Sequence, residues 1–191
     1  MSKALVIIDL IEEIIGKNGL SNSSYQQTCS RKIVEKANQA AQYARNHHIP
    51  VIWVKVGFSD NYHDVPAGSP MFQQAKKLGA LKLSGSGCHW AHDLEVAFRD
   101  PVMIKKGVSA FAGNHFHKWL TDNDITELFI GGVSTVKAIQ STARQAHDLG
   151  YFVTVLEDLC AAPTPELHQQ SIQALDGMVT ISSVKEFMQL K

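Results

Sequence analysis

Cysteine is scarce in this chain: Cys29, Cys88 and Cys160 are three residues in 191, odd in number, widely spaced and without a CxxC pair. Such usage argues against a disulfide framework and a structural zinc site, and fits reduced thiols in a cytosolic setting. An excess of either charge is also missing, since eighteen Lys and Arg offset eighteen Asp and Glu. That balance favours neither nucleic acid nor a membrane surface nor a polyanion, and leaves a small uncharged or anionic molecule as the expected ligand. Long hydrophobic runs are lacking as well. The first, in MSKALVIIDL, is interrupted at Asp9, too soon for a signal peptide or a membrane span, so the chain is expected to be cytoplasmic. Two nucleotide-binding patterns are absent from the glycine-bearing stretch GGVSTVKAIQSTAR at 131 to 144: it has neither GxGxxG nor GxxxxGK[ST] spacing. Neither NAD nor ATP is expected, and no cofactor is inferred.

What is present is enough for one core. With 45% hydrophobic and 19% charged residues over 191 positions, the simplest organisation is a single domain, 1–191. Short apolar runs alternate with amphipathic stretches. ALVIID (4 to 9) precedes a helical pattern at 28 to 48; PVIWVKV (50 to 56), PVMIK (101 to 105) and ELFIGG (127 to 132) follow; helical stretches at 135 to 149 and from about 165 flank YFVTVLED (151 to 158), before MVTIS (178 to 182). Strand and helix taking turns is the rhythm of βαβ units. Runs such as LVII and VIWV lack in–out alternation, as strands covered on both faces do. The expected fold class is therefore α/β: a three-layer Rossmann-like fold with a mostly parallel six-stranded sheet flanked by helices. A Gly-, Ser- and Pro-rich excursion from 57 to 87 carries one predicted short helix at 70 to 77, and excursions of that length are often functional.

In an open parallel sheet, ligands sit outside the carboxyl ends of the strands, where strand order reverses. Asp9 closes the first strand, Lys105 closes PVMIK, and Gly131-Gly132-Val133 closes the fourth ahead of a helix. If those strands are neighbours, a carboxylate and an ammonium meet beside a helix N-terminus. Each feature alone has a plainer explanation. Asp9 can end a strand or cap a helix, one of Lys105 and Lys106 can be solvated surface, and Ser134 or Thr135 can cap free amides. Their convergence carries the argument.

These segments resemble the isochorismatase-like hydrolases, also called the cysteine hydrolase superfamily, over nearly the whole chain. ALVIIDL resembles the family's first strand with its catalytic aspartate, here Asp9; IKKGVSAF (104 to 111) resembles its lysine strand and selects Lys105 over Lys106; GGVSTVKAIQSTARQAHDLGY (131 to 151) resembles its Gly-Val turn and following helix. The resemblance implies a cis Val133-Ser134 bond that aims the amides of Ser134 and Ala138 at a substrate oxygen. It also places the family nucleophile, a cysteine, at Ala138. The Asp-x-His metal pattern of nicotinamidase members is missing from VKVGFSDNYHDVPAG, and His63, Asp64 and the Cys88-His89 to His92-Asp93 stretch lack a second ligand pair, so no metal is expected. Val133, Ser134, Thr135, Lys137, Phe111 and Trp90 are the expected substrate-binding residues, although sequence does not separate pocket aromatics from core ones. Lys137 also reads as a solvated first-turn lysine, and Arg144 as an interface or core-capping residue.

Three functions follow from these residues. One is hydrolysis without a covalent intermediate, as in isochorismatases that lack the cysteine: Asp9 protonates a vinyl ether, water attacks the oxocarbenium-like centre, Lys105 holds a substrate carboxylate, and the turn's amides bind an oxygen. Another is a cysteine amidohydrolase acting on amides or ureides, its nucleophile replaced by Ala138, with Cys160 too distant, beyond the fifth strand, to substitute. The last is a retired enzyme that only binds a small molecule. The resemblance also implies a homo-oligomer, a dimer or tetramer.

Overall fold

The computed structural model describes residues 2–190, and among them the predicted alternation is realised. In chain order the elements are β1 (Ser2–Ile8), α1 (Glu12–Ile15), α2 (Tyr25–Ser30), α3 (Ile33–Asn46), β2 (Val51–Val56), α4 (Pro70–Leu78) and β3 (Val102–Lys105). The second half adds α5 (Phe116–Asp122), β4 (Ile125–Val133), a π-turn (Thr135–Ile139), α6 (Gln140–Asp148), β5 (Phe152–Ala161), α7 (Pro165–Gln173), β6 (Thr180–Ser182) and α8 (Val184–Phe187). The six strands form one sheet in the order β3-β2-β1-β4-β5-β6, and every pair is parallel. Strand order reverses between β1 and β4. Among the described residues no helix is long and apolar enough to cross a membrane.

The apolar run of β1 is continuous because both of its faces are covered. Ala4, Val6 and Ile8 pack with Phe116 and Leu120 of α5, Ala143 and Ala146 of α6, and Ile172 of α7. Leu5 and Ile7 instead join Ala37, Ala40, Ala41 and Ala44 of α3 and Val184 and Phe187 of α8. At roughly 1.5–3 kcal/mol for each large aliphatic side chain buried, these two layers supply the main apolar stabilisation. Small alanines along α3 let that helix lie close to the sheet.

Local sequence explains where elements stop. Helix α4 starts where Ser69 accepts a hydrogen bond from the Phe72 amide ahead of Pro70, and ends at Gly79 in the left-handed region, φ 69°. The expected helical stretch at 28 to 48 is broken instead at Arg31-Lys32, with Lys32 at φ 56°. Arg31 is drawn to the end of β5, where Nε donates to the Cys160 carbonyl at 2.8 Å and a second nitrogen to that of Glu157 at 2.9 Å. The stretch at 135 to 149 likewise opens as a π-turn before becoming α-helical.

At Gly132 the backbones of β1 and β4 leave no room for a side chain. This glycine pairs with Ile8, has φ 133°, and a Cβ there would lie 2.2 Å from the Ile8 carbonyl oxygen. Gly132→Ala is therefore expected to lower stability by about 2–4 kcal/mol through strand separation and backbone strain. Gly150, at φ 88° with open space where a Cβ would point, is the control: Gly150→Ala should cost roughly 1–2 kcal/mol from backbone strain alone. Urea unfolding of both variants checks this, and equal losses would mean that the close approach contributes nothing.

Candidate active site

Asp9 lies one residue beyond β1 in the left-handed region, φ 60°, with its amide donating to the Val54 carbonyl at 2.8 Å. Its Oδ1 accepts from the Val56 amide at 2.8 Å, and its Oδ2 lies 2.9 Å from Lys105 Nζ. The strands are not all neighbours, as the expectation required. β1 adjoins β4, but β2 stands between β1 and β3. The lysine strand is therefore two inter-strand spacings from β1, roughly 10 Å. The long Lys105 side chain closes that gap, while the Val56 amide in between fixes the carboxylate's other oxygen. Lys105 also donates to the Val108 carbonyl at 2.6 Å.

Both charged groups are almost sealed, Asp9 at 3% exposure and Lys105 at 2%. Burial pushes the Asp9 carboxyl above its ordinary value, with Lys105 and then the Val56 amide pulling the other way. The neighbouring Lys106 does not compete for the site. Its ammonium donates to the Gly57 carbonyl and pairs with Asp64, each at 2.7 Å.

On the other side of β1, the Val133-Ser134 peptide is cis, as the resemblance implied. The Ser134 carbonyl accepts from the amides of Lys137 and Ile139, both at 3.2 Å, and so passes over the amide of Ala138 that lies between them. Ala138, 3% exposed, and Ser134 line the same cavity as Asp9 and Lys105, with a volume of about 510 Å³. Such a volume suits a small metabolite. Val133 and Lys137 line it too, Lys137 being exposed.

Three expected contact residues lie elsewhere. Trp90 pairs with Ile11 in an isolated bridge, packs against Trp53 at 5.9 Å between ring centres and lies under Lys55 Nζ at 4.8 Å. Phe111 stacks on Phe116 at 5.0 Å inside the core. Neither ring lines the cavity: loop aromatics beside apolar strands gain more area from the core than from a half-open pocket. Thr135, fully buried, faces away and contacts His168 Nδ1 at 2.8 Å. His168 Nε2 in turn meets Glu157 at 3.0 Å, and Arg31 meets the same carboxylate at 3.0 Å. The His168 contact, followed by the charge of Arg31, holds the Glu157 carboxyl below its ordinary value against the effect of burial. This network braces the π-turn from behind.

Cys160 is not beyond the fifth strand but within it, beside Gly132, with its thiol directed to the Leu156 carbonyl and burial pushing it up to about 12. A thiol so sealed and so weakly acidic is a poor nucleophile. Asp64 is taken by Ser59 and Lys106, and His63 by Ser59 and Asn61. Arg144 caps α7 through the Ala174 carbonyl at 2.7 Å.

The second wall of the cavity comes from the 20 to 24 loop and from Met71, Phe72, Ala75 and Leu78 of α4. α4 is the short helix predicted at 70 to 77 in the 57 to 87 excursion, whereas nothing in the sequence marked the 20 to 24 loop. Glu13 holds this wall in place, accepting from the Leu20 amide at 2.7 Å and the Leu81 amide at 3.1 Å.

The sequence model of the Isochorismatase domain matches residues 3–186. The isochorismatase family protein YecD of Escherichia coli O157:H7 is 29% identical over 191 residues, covering 97% of this chain and 94% of that protein. A protein named "probable inactive nicotinamidase At3g16190", of Arabidopsis thaliana, is 29% identical over 171 residues, covering 88% and 85%. Among solved structures, an isochorismatase family protein from Desulfovibrio vulgaris superposes with a TM-score of 0.86 at 21% identity, over 98% of this chain and 97% of that one.

Proposed function

Because the chain belongs to the isochorismatase family, we propose that it is a hydrolase of a small metabolite that cleaves a vinyl ether without a covalent intermediate. The observation that carries this reading is a buried carboxyl with a raised pKa at the floor of a cavity whose nucleophile position holds a methyl group. Asp9 in its acid form gives its proton to the enol-ether carbon. The oxocarbenium-like centre that results is attacked by water, which returns a proton to the Asp9 carboxylate, and the hemiketal collapses to a carbonyl compound and an alcohol. Lys105 holds Asp9 in place and has a third N–H for a substrate oxygen. The amides of Ser134 and Ala138 stabilise the alkoxide oxygen that departs as the hemiketal collapses. Exposed Phe98 and Phe152 supply apolar surface for a cytoplasmic homo-oligomer.

A second reading is favoured by one feature: Ala138 lines the cavity together with Asp9 and Lys105, so a cysteine there would lie beside an ammonium that favours its thiolate. The chain and its Ala138→Cys variant are assayed side by side on vinyl ethers, amides and ureides. Vinyl-ether turnover by the unsubstituted chain, not increased by Ala138→Cys, is the expected result. Amide turnover confined to Ala138→Cys would replace the first reading with the amidohydrolase one. A chain that turns over nothing in either form, yet melts higher with a metabolite present, would be a binding protein.

A further inference from the structure

Once Asp9 and Lys105 have satisfied each other, one deeply buried polar atom of the cavity lining is left without a partner among the described residues. Ser24 lines it at 2% exposure, and among the described residues its Oγ is a buried side-chain oxygen without a hydrogen-bond partner. Its neighbours in the loop that reach inward are already engaged, while Ser21 and Ser23 are exposed. Leu20 is tied to Glu13; Asn22 Nδ2 donates to the Gly16 and Lys17 carbonyls, both at 3.0 Å; and the Ser24 carbonyl accepts from the Thr28 amide and hydroxyl at 2.8 and 2.9 Å. Ser24 precedes α2, where a serine side chain commonly bonds a first-turn amide, but here it makes no such bond. A buried hydroxyl without a partner is costly to keep, and rotation about χ1 lets it turn among staggered positions toward an incoming acceptor. The rest of the cavity narrows the choice of ligand. Its α4 wall is apolar apart from Gln74, while the Lys137 ammonium on its lining has no carboxylate within ion-pair distance among the described residues.

We propose that Ser24 is a ligand-binding residue of this cavity, its hydroxyl donating to a carbonyl oxygen on a short aliphatic monocarboxylate whose carboxylate is met by Lys137. The proposal rests on the reading of the cavity as the substrate site and names the ligand class for it.

The test is equilibrium binding with non-reacting probes, so the vinyl-ether chemistry and this assignment can fail separately. Calorimetry compares 4-oxopentanoate with pentanoate and 5-oxohexanoate with hexanoate, together with the methyl esters of the oxo acids. Ser24→Ala is expected to weaken at least one oxo acid about 3- to 10-fold and to leave its matched alkanoate unchanged, with Ser24→Thr recovering part of the loss. Lys137→Ala should weaken the acids but not the esters. Without ligand, Ser24→Ala should melt at the wild-type temperature or above it, because no protein bond is lost. A lowered melting temperature would make the hydroxyl structural, bonded through an ordered water. That outcome, equal weakening of oxo acid and alkanoate, or no binding of any probe to the wild type, would overturn the proposal.

Discussion

Asp9→Asn is expected to lower vinyl-ether turnover about a hundredfold to ten-thousandfold, the usual contribution of a positioned general acid. An amide has no acidic proton of comparable strength, so the proton-transfer step loses its donor even where binding survives. The wild-type pH profile provides the companion measurement. Burial raises the folded-state pKa of Asp9, so the acid form persists above the ordinary carboxylate range, near 4. The rate should be highest below that raised value and fall as pH increases through it. A rate that climbs with pH over this range would mean that Asp9 works ionised, and the general-acid assignment would be lost. Circular dichroism of Asp9→Asn distinguishes lost chemistry from a lost fold. The variant's single side-chain oxygen has to serve one of two donors, the Val56 amide or Lys105.

Lys105→Met should cost about 3–5 kcal/mol of stability at neutral pH, because it strands a buried carboxylate without its counter-charge. The sign of the pH dependence follows from the same pair. Lys105 is what pulls the Asp9 carboxyl down against burial, so without it the folded-state pKa rises further above the unfolded one. The folded state then binds the extra proton, and the stability gained from it is complete below the unfolded pKa and lost as pH rises through the folded one. Urea unfolding at pH 5 and pH 8 should therefore show the larger penalty at pH 8. Adding Asp9→Leu should recover much of the loss, since a pair of apolar side chains can replace a buried ion pair at little cost. A penalty that is the same at both pH values would mean that the two groups are not coupled.

The parts of this site that could be read from sequence are those set by strand ends. Asp9, Lys105 and Gly132 each stop an apolar run, and a parallel sheet gathers such endings along one edge. The cis Val133-Ser134 bond, and the expectation that Ala138 stands at the family's nucleophile position, came from the resemblance, not from composition. What could not be read depends on partners far apart in the chain. Ser24 has no periodic pattern around it, and the Thr135–His168–Glu157–Arg31 chain joins residues separated by more than a hundred positions. Trp90 and Phe111 were misplaced because an aromatic ring in a loop looks the same in sequence whether it faces a ligand or the core. The break at Lys32 follows from Arg31 reaching β5, a tertiary contact that overrides helix propensity.

The two walls of the cavity have separate origins: strand ends carry Asp9 and Lys105, whereas the 20 to 24 loop and α4 supply the opposite side. Glu13 anchors the second of them, through the Leu20 amide and the Leu81 amide beyond α4. Substitutions along α4 are thus expected to redraw which molecules are admitted while Asp9 and Lys105 stay in register, so that a change of clientele would leave the pair beneath it intact.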